Sequence, residues 1–317
     1  MKKRWFSLMM AGMMAFSLAG CGGGAGETTA AQTTAAAAEA AAEGLDAAGA
    51  DAADEGAAAA EEDAGDSAEA DAAEAAKEDA DAAAGGTFTV GFDQDFPPMG
   101  FVGDDGEYTG FDLELAQVVA DRLGMEFVPQ PIAWDAKDME LESGTIDCIW
   151  NGFTMTGRED GYTWSEPYMD NSQVFVVKKD SGIQTLADLA GKIVEVQTDS
   201  SAEAALKEDP DLTNTFSNLQ ITPDYNTAFM DLEMGAVDAI AMDVIVAGYQ
   251  MEQRDNGDDF VILDETLASE EYGIGFKKGN EALRDQVQAT LEEMAADGTL
   301  AEISEKWFGR DVTTIGK

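Results

Sequence analysis

Residues 22–86 contain one leucine and no aromatic residue, which decides where this chain can build a core. Thirty of these 65 residues are alanine, 17 are Asp or Glu, and Lys77 is the one base. A segment so poor in large apolar side chains buries too little surface to offset the entropy of ordering it. Ala and Glu favour transient helix, but Gly and Asp interrupt it. Residues 21–86 are therefore expected to form a solvated acidic tether. As a flexible chain it would span roughly 40–50 Å end to end, and more through self-repulsion.

Ahead of the tether, Lys2, Lys3 and Arg4 form a positive head, followed by an apolar stretch and small residues. Residues 1–20 thus read as a secretory signal. The stretch ends in Leu18-Ala19-Gly20-Cys21, which resembles a lipoprotein signal box. That resemblance implies a Cys21 lipidated at its sulfur, and a protein held on the outer face of the cytoplasmic membrane. Cys148 is then left alone, so no intramolecular disulfide is expected.

The folded part is residues 87–317, where 47 acidic residues face 14 basic ones. No apolar run in it is long enough to span a membrane. The whole chain carries a formal charge of −46, which argues against nucleic acid as a partner. There is no histidine and there are two cysteines. Ser-His-Asp hydrolysis, histidine-ligated metals and thiolate zinc sites are excluded. Neither a metal nor a cofactor is expected.

The pattern alternates strand and helix. Strands are expected at 87–92, 125–128, 145–150, 174–178, 192–197, 219–222, 236–242 and 272–277. Apolar residues at Phe111, Leu115, Val118, Val119 and Leu123 have helical spacing, and Gly124 suits a C-cap. Further helices are expected at 136–143, 201–208, 244–254 and 300–308. Others would be capped by Thr185 (a short helix to Gly191), Asn226 (to Met234) and Asn280 (to Ala296). Strands separated by helices imply an α/β fold with parallel sheets.

One repeat stands out. Leu141-Glu-Ser-Gly-Thr-Ile-Asp-Cys-Ile matches Leu232-Glu-Met-Gly-Ala-Val-Asp-Ala-Ile. Each reads as a helix end, a glycine stop and a short strand carrying an Asp, Asp147 or Asp238. Two related lobes would explain it, although many α/β units share the pattern. Ligands of open α/β sheets sit beyond the carboxyl ends of strands. Two facing lobes would bring Asn151–Arg158 and Met242-Asp243 to a shared cleft. Arg158 and the helix N-terminus at Ser200-Ser201 could clamp a carboxylate, and Asp243 could pair with an ammonium. Arg158 could equally be a surface arginine, and Ser200 a plain N-cap.

Taken in order, these segments resemble the family 3 extracellular solute-binding proteins, receptors of polar amino-acid ABC importers. The resemblance runs from about Phe88 to Phe308. It rests on Gly91-Phe-Asp-Gln-Asp-Phe-Pro-Pro-Met-Gly-Phe, Tyr108-Thr-Gly-Phe-Asp-Leu-Glu-Leu-Ala and Gly144-Thr-Ile-Asp. It continues through Asn151-Gly-Phe-Thr-Met-Thr with Arg158, Trp164-Ser-Glu-Pro-Tyr and Leu186-Ala-Asp-Leu-Ala-Gly-Lys. It closes with Gly235-Ala-Val-Asp-Ala, Asp243 and Tyr272-Gly-Ile-Gly-Phe-Lys-Lys.

The resemblance implies a two-lobe, periplasmic-binding-protein-like (type II) clamshell with a cleft between lobes. Lobe 1 would comprise 87–178 and 270–317, and lobe 2 would comprise 179–269. It also implies a monomer that binds a free L-amino acid and delivers it to an importer permease. The Gly152 carbonyl, the Thr154 hydroxyl and Asp243 would take the ammonium. Arg158 and Ser201, at the helix end opened by Ser200, would take the carboxylate. One residue, Gly157, separates Thr156 from Arg158 where the family usually has two. Asp93, Phe96, Trp134, Gln197 and Met242 match positions that touch the ligand side chain. Two acids without a spare cation favour a basic side chain, then glutamine or another polar neutral one. A dehydratase of amino-acid precursors on the same scaffold, or a sensor for a membrane kinase, are the alternative functions.

Overall fold

The computed structural model describes residues 86–317. The signal segment 1–20, the lipidation candidate Cys21 and the tether up to residue 85 lie outside the described residues. The strands are Thr87–Phe92 (β1), Asp95–Phe96 (β2), Gly100–Val102 (β3), Tyr108–Thr109 (β4), Glu126–Pro131 (β5), Cys148–Thr154 (β6) and Thr163–Trp164 (β7). Met169–Lys178 (β8), Ile193–Gln197 (β9), Asn218–Thr222 (β10), Ala239–Asp243 (β11), Phe260–Ile262 (β12) and Ala268–Phe276 (β13) follow. The α-helices are Phe111–Leu123 (α1), Lys137–Ser143 (α2), Ser201–Glu208 (α3), Pro210–Thr213 (α4), Tyr225–Met234 (α5), Val244–Gln253 (α6), Glu281–Asp297 (α7) and Thr299–Phe308 (α8). None of the helices described is long and apolar enough to cross a membrane.

The main sheet runs β10-β9-β11-β8-β13-β6-β1-β5. Its outer thirds are parallel, as the alternation predicts: β5, β1 and β6 on one side, β10, β9 and β11 on the other. Its centre is not. β8 and β13 are antiparallel to each other, and each is antiparallel to its outer neighbour. The expectation of parallel sheets is corrected here, because β8 carries the chain from one half of the sheet to the other and β13 carries it back. Only their apolar halves read as strand. Their other halves, Asp170–Gln173 and Ser269–Glu271, are polar yet pair along their length. Gln173 is the register position where β8 meets Asp243 of β11 on one side and Ala268 of β13 on the other.

The repeat has a physical role. Asp147 Oδ2 accepts from the Thr89 amide at 2.6 Å, and the Asp147 amide donates to the Thr89 carbonyl at 2.8 Å. Asp238 does the same to Ile193, at 2.8 Å in both directions. Each aspartate clips its strand to the first strand of its own half, β1 or β9. This occupies residues 145–147, so β6 starts at Cys148 instead of Thr145. It also ends later than expected, because Phe153 and Thr154 pair with Gly273 and Tyr272 of β13. Asn151–Thr154 therefore belong to a buried strand and are not a loop beyond it. β11 likewise ends on Asp243.

The helices follow their signals closely. Phe111, Leu115 and Val119 are buried in α1, and Gly124 closes it at φ 71° with its N–H on the Ala120 and Asp121 carbonyls. Thr185 caps the short helix that follows it, as expected, with Asp188 completing a capping box, and Asn280 caps α7. α5 differs: its cap is Asp224, which accepts from the Thr227 amide at 2.7 Å. Asn226 instead donates to Asp95 of the other half at 2.9 Å. Met242 is fully buried within the core.

Candidate functional site

A narrow cavity of about 10 Å³ lies between the two halves of the sheet. From one side it is lined by Phe96, Trp134, Gly152, Thr154 and Arg158, and from the other by Gln197, Ser200, Ser201 and Asp243. Nine of the ten candidate residues are thus brought together. The tenth, Asp93, lies beside it and lines a neighbouring cavity with Trp134, Asp95 and Asp224. Asp93 is 7% exposed and accepts from Gln197 Nε2 of the opposite half at 2.7 Å.

Gly152 is held by Asp112, whose Oδ2 accepts from its amide at 2.6 Å and from the Tyr168 hydroxyl at 2.8 Å. Gly152 adopts φ 56°, and a Cβ there would meet Tyr272 at 3.0 Å and Phe96 at 3.1 Å. Only glycine lets both rings approach this backbone. Gly157, at φ 81°, turns the shortened loop tightly enough for Arg158 to reach the cavity. The guanidinium donates to the Thr154 carbonyl at 3.2 Å and to the Asp199 carbonyl at 3.4 Å, and lies 5.3 Å from the Phe153 ring centre.

On the facing side, Ser200 is a working N-cap: its hydroxyl accepts from the Glu203 amide at 3.1 Å and donates to the Gln197 carbonyl at 2.8 Å. The Ser201 hydroxyl accepts from Gln173 Nε2 at 2.9 Å. The helix N-terminus at the cavity wall favours negative charge. Asp243 ends β11 and begins α6, is 3% exposed, and accepts from the Tyr272 hydroxyl at 2.5 Å.

Asn151, expected at the cleft, is 1% exposed and lines the cavity, and its Nδ2 finds no partner among the described residues. Other residues at the site escaped the sequence reading. The Tyr225 hydroxyl is equally orphaned, near Asp243, Ser200 and Asp93. Lys137, 2% exposed, reaches across to the Asp199 carboxylate. Glu270, Asn171 and Gln173 form a buried network with Asp243. A period-two reading of Asp170–Gln173 would have found the last two, since Asn171 and Gln173 share the inward face with Met169.

Burial acts on the acids of this region in one direction. It pushes the Asp112 carboxyl up to about 7 and Asp93 up to about 6, from an ordinary 3.8. Asp243 rises to about 8, through burial first and the neighbouring Glu270 charge second. Carboxyls with raised pKa hold protons more tightly in the folded than in the unfolded chain. Their stabilising contribution is complete below the unfolded pKa and is lost as pH rises through the folded values. The ligand-free domain should therefore melt at a higher temperature at about pH 5 than at about pH 8. A lower melting temperature at the acidic pH would contradict this assignment.

The model of the bacterial extracellular solute-binding proteins, family 3, matches residues 88–310. The chain belongs to that family. It is 37% identical over 231 residues to the L-cystine-binding protein TcyJ of Escherichia coli K12, covering 72% of this chain and 85% of that protein. It is 30% identical over 230 residues to the arginine-binding extracellular protein ArtP of Bacillus subtilis, covering 69% of this chain and 85% of that one. A substrate-binding protein of an ABC uptake transporter from Streptococcus pneumoniae, solved with bound histidine, superposes with TM-score 0.70 at 37% identity. That match covers 75% of this chain and 97% of the other. The fold is thus the two-lobe type II clamshell, with β8 and β13 running between its lobes.

Proposed function

We propose that this family 3 protein is an extracytoplasmic receptor that binds a polar or basic L-amino acid in the inter-lobe cavity and delivers it to an ABC importer. The observation that carries the reading is the pairing of opposite charges in one cavity. Asp243 stands ready for an ammonium, and Arg158 with the N-terminus of α3 stands ready for a carboxylate. The names of the relatives, binders of cystine, arginine and histidine, support an amino acid as cargo. Asp93 and the Phe96 and Trp134 rings suit a cationic or polar far end of the ligand.

In this reading the protein is a monomeric carrier without catalytic activity, anchored through a lipidated Cys21 and spaced from the membrane by residues 21–86. The signal box and the composition of the tether support that part. The lobes divide into 87–178 with 270–317, and 179–269. Motion between them centres on the connecting segments near Val177–Lys179 and Thr266–Glu271, and the ligand stabilises the closed form that the importer recognises.

The test is calorimetric titration of the unlipidated fragment 86–317 with each L-amino acid, after unfolding and refolding to strip carried-over ligand. Micromolar or tighter binding of one or a few amino acids is the expected result. Failure of all of them to bind would overturn the reading.

A further inference from the structure

Behind the cavity wall, four polar side chains on three adjacent strands face one another. Asp243 lies on β11, Asn171 and Gln173 on β8, and Glu270 on β13. Gln173 is the register partner of Asp243, and Asn171 that of Glu270. Asn171 Nδ2 donates to Asp243 Oδ1 at 2.8 Å and to Glu270 Oε1 at 2.6 Å. Gln173 Nε2 donates to the same two oxygens at 2.8 and 2.7 Å, and also to Ser201. Both carboxylates therefore crowd around the same two amide nitrogens.

The network is short of positive charge. Asp243 and Glu270 are 3% and 7% exposed, and among the described residues no Lys or Arg makes an ion pair with either. On Gln173 Nε2, three acceptors compete for two hydrogens. Asn171 Oδ1 and Gln173 Oε1, buried as deeply, are left without partners because both amides turn their N–H groups toward the acids. Two carboxylates this close in a dry site cannot both stay ionised without a cation.

The other groups facing the pair do not supply one. Tyr272 donates its hydroxyl to Asp243, and the Tyr225 phenol from α5 is neutral. Asp93 and, toward Glu270, Glu208 of α3 add only negative charge. Arg158 lines the cavities on both sides, but its hydrogen bonds go to the Thr154 and Asp199 carbonyls.

We propose that Asp243 and Glu270 share one proton while the cleft holds no amino acid, and that the ammonium group of the incoming ligand displaces it. This rests on the receptor reading above. The exchange balances: the singly protonated pair and a protonated amine enter, and a doubly ionised pair bound to the ammonium leaves with one proton released to solvent. Asp243 touches the ligand. Glu270 acts through it, as a positioning residue that tunes the proton affinity of the pair. The site thereby selects ligands that bring their own positive charge, and affinity rises with pH by up to about tenfold per unit until the free pair is ionised.

Two measurements test this. In the ligand-free domain at about pH 6.5, the infrared difference spectrum of wild type minus Glu270→Gln should contain a protonated carboxyl band, the contributions of Asp112 and Asp93 cancelling between the two. Its absence from the difference spectrum overturns the shared proton whether or not any amino acid binds. Then L-arginine, L-histidine and L-cystine are titrated at about pH 7 in buffers of different ionisation enthalpy. The wild type should release close to one proton per ligand bound, and Glu270→Gln well under half of that, with an affinity that no longer changes with pH. Binding to the wild type without proton release, or at pH-independent affinity, overturns the displacement step. A variant that fails to fold leaves the wild-type titration decisive. A carboxyl band in the difference spectrum of a protein that binds no amino acid would overturn the receptor reading and the displacement step, while the shared proton stands.

Discussion

Asp243→Asn should reduce amino-acid affinity by about 100-fold or more, the largest loss of any single substitution in the cavity. Truncating one member of a buried, hydrogen-bonded charge pair costs about 2–5 kcal/mol, which spans this range. Asparagine matches aspartate in size, so the cavity keeps its shape and Tyr272 and Gln173 keep an acceptor. What is lost is the charge. Among the described residues Asp243 is the one acid lining the cavity, and at 3% exposure little water can replace it. The variant should melt no lower than the wild type, because a carboxyl that burial disfavours has been removed. Calorimetric titration with the preferred ligand checks the first expectation and thermal unfolding the second. An affinity within threefold of wild type would mean that the ammonium sits elsewhere.

The second large effect concerns closure. Lys137 of α2 is 2% exposed and pairs with Asp199, which lies in the other lobe on the turn before α3. Its ammonium also donates to the Trp134 carbonyl at 3.3 Å and the Asp199 carbonyl at 3.4 Å. Asp199 is the one non-glycine residue with positive φ among those described, at 53°. That conformation directs its carbonyl to both Lys137 and Arg158. The contact therefore latches the lobes and steadies the guanidinium that would hold the ligand carboxylate. Asp199→Ala leaves a lysine buried against two carbonyls. Breaking a fully buried pair costs about 3–5 kcal/mol, but half of the Asp199 side chain faces solvent, so about 1–3 kcal/mol is expected. Because opening the lobes relieves the stranded charge, the cost falls on the closed form. Affinity should drop about 5- to 100-fold, mainly through faster ligand release. Adding Lys137→Met should recover part of the loss. Stopped-flow release rates decide, and a double variant no better than Asp199→Ala would refute the latch.

Much of this molecule was legible in one dimension. The helix of Phe111–Leu123 announced itself by spacing, its stop by Gly124, and the start of the short helix at Leu186 by Thr185. These are local properties, in which a side chain within four residues satisfies a backbone group or shares a face. The repeat at Asp147 and Asp238 was visible, although its function as a strand clip needed the partner strands. Nine of ten candidate site residues line one cavity because the motifs that carry them end at strand edges and a helix start, where a two-lobe sheet must leave its cleft.

What stayed hidden was polar and long-range. Asp170–Gln173 and Ser269–Glu271 read as loop because they lack apolar residues. They become central strand because the lobes must be bridged and each supplies hydrogen bonds to the other. Asn226 had the chemistry of a cap, yet Asp224 takes that role and frees Asn226 to cross the cleft. Sequence by itself determined which part of the chain can fold, the alternation of strand and helix, and the charge chemistry of the cavity, since these follow from composition and from neighbours along the chain. Tertiary structure alone decided that Glu270 stands beside Asp243 and that Lys137 closes on Asp199. Residues 27 and 62 positions apart in sequence meet only where the sheet and the cleft bring them together, and burial there turns ordinary charged side chains into coupled ones.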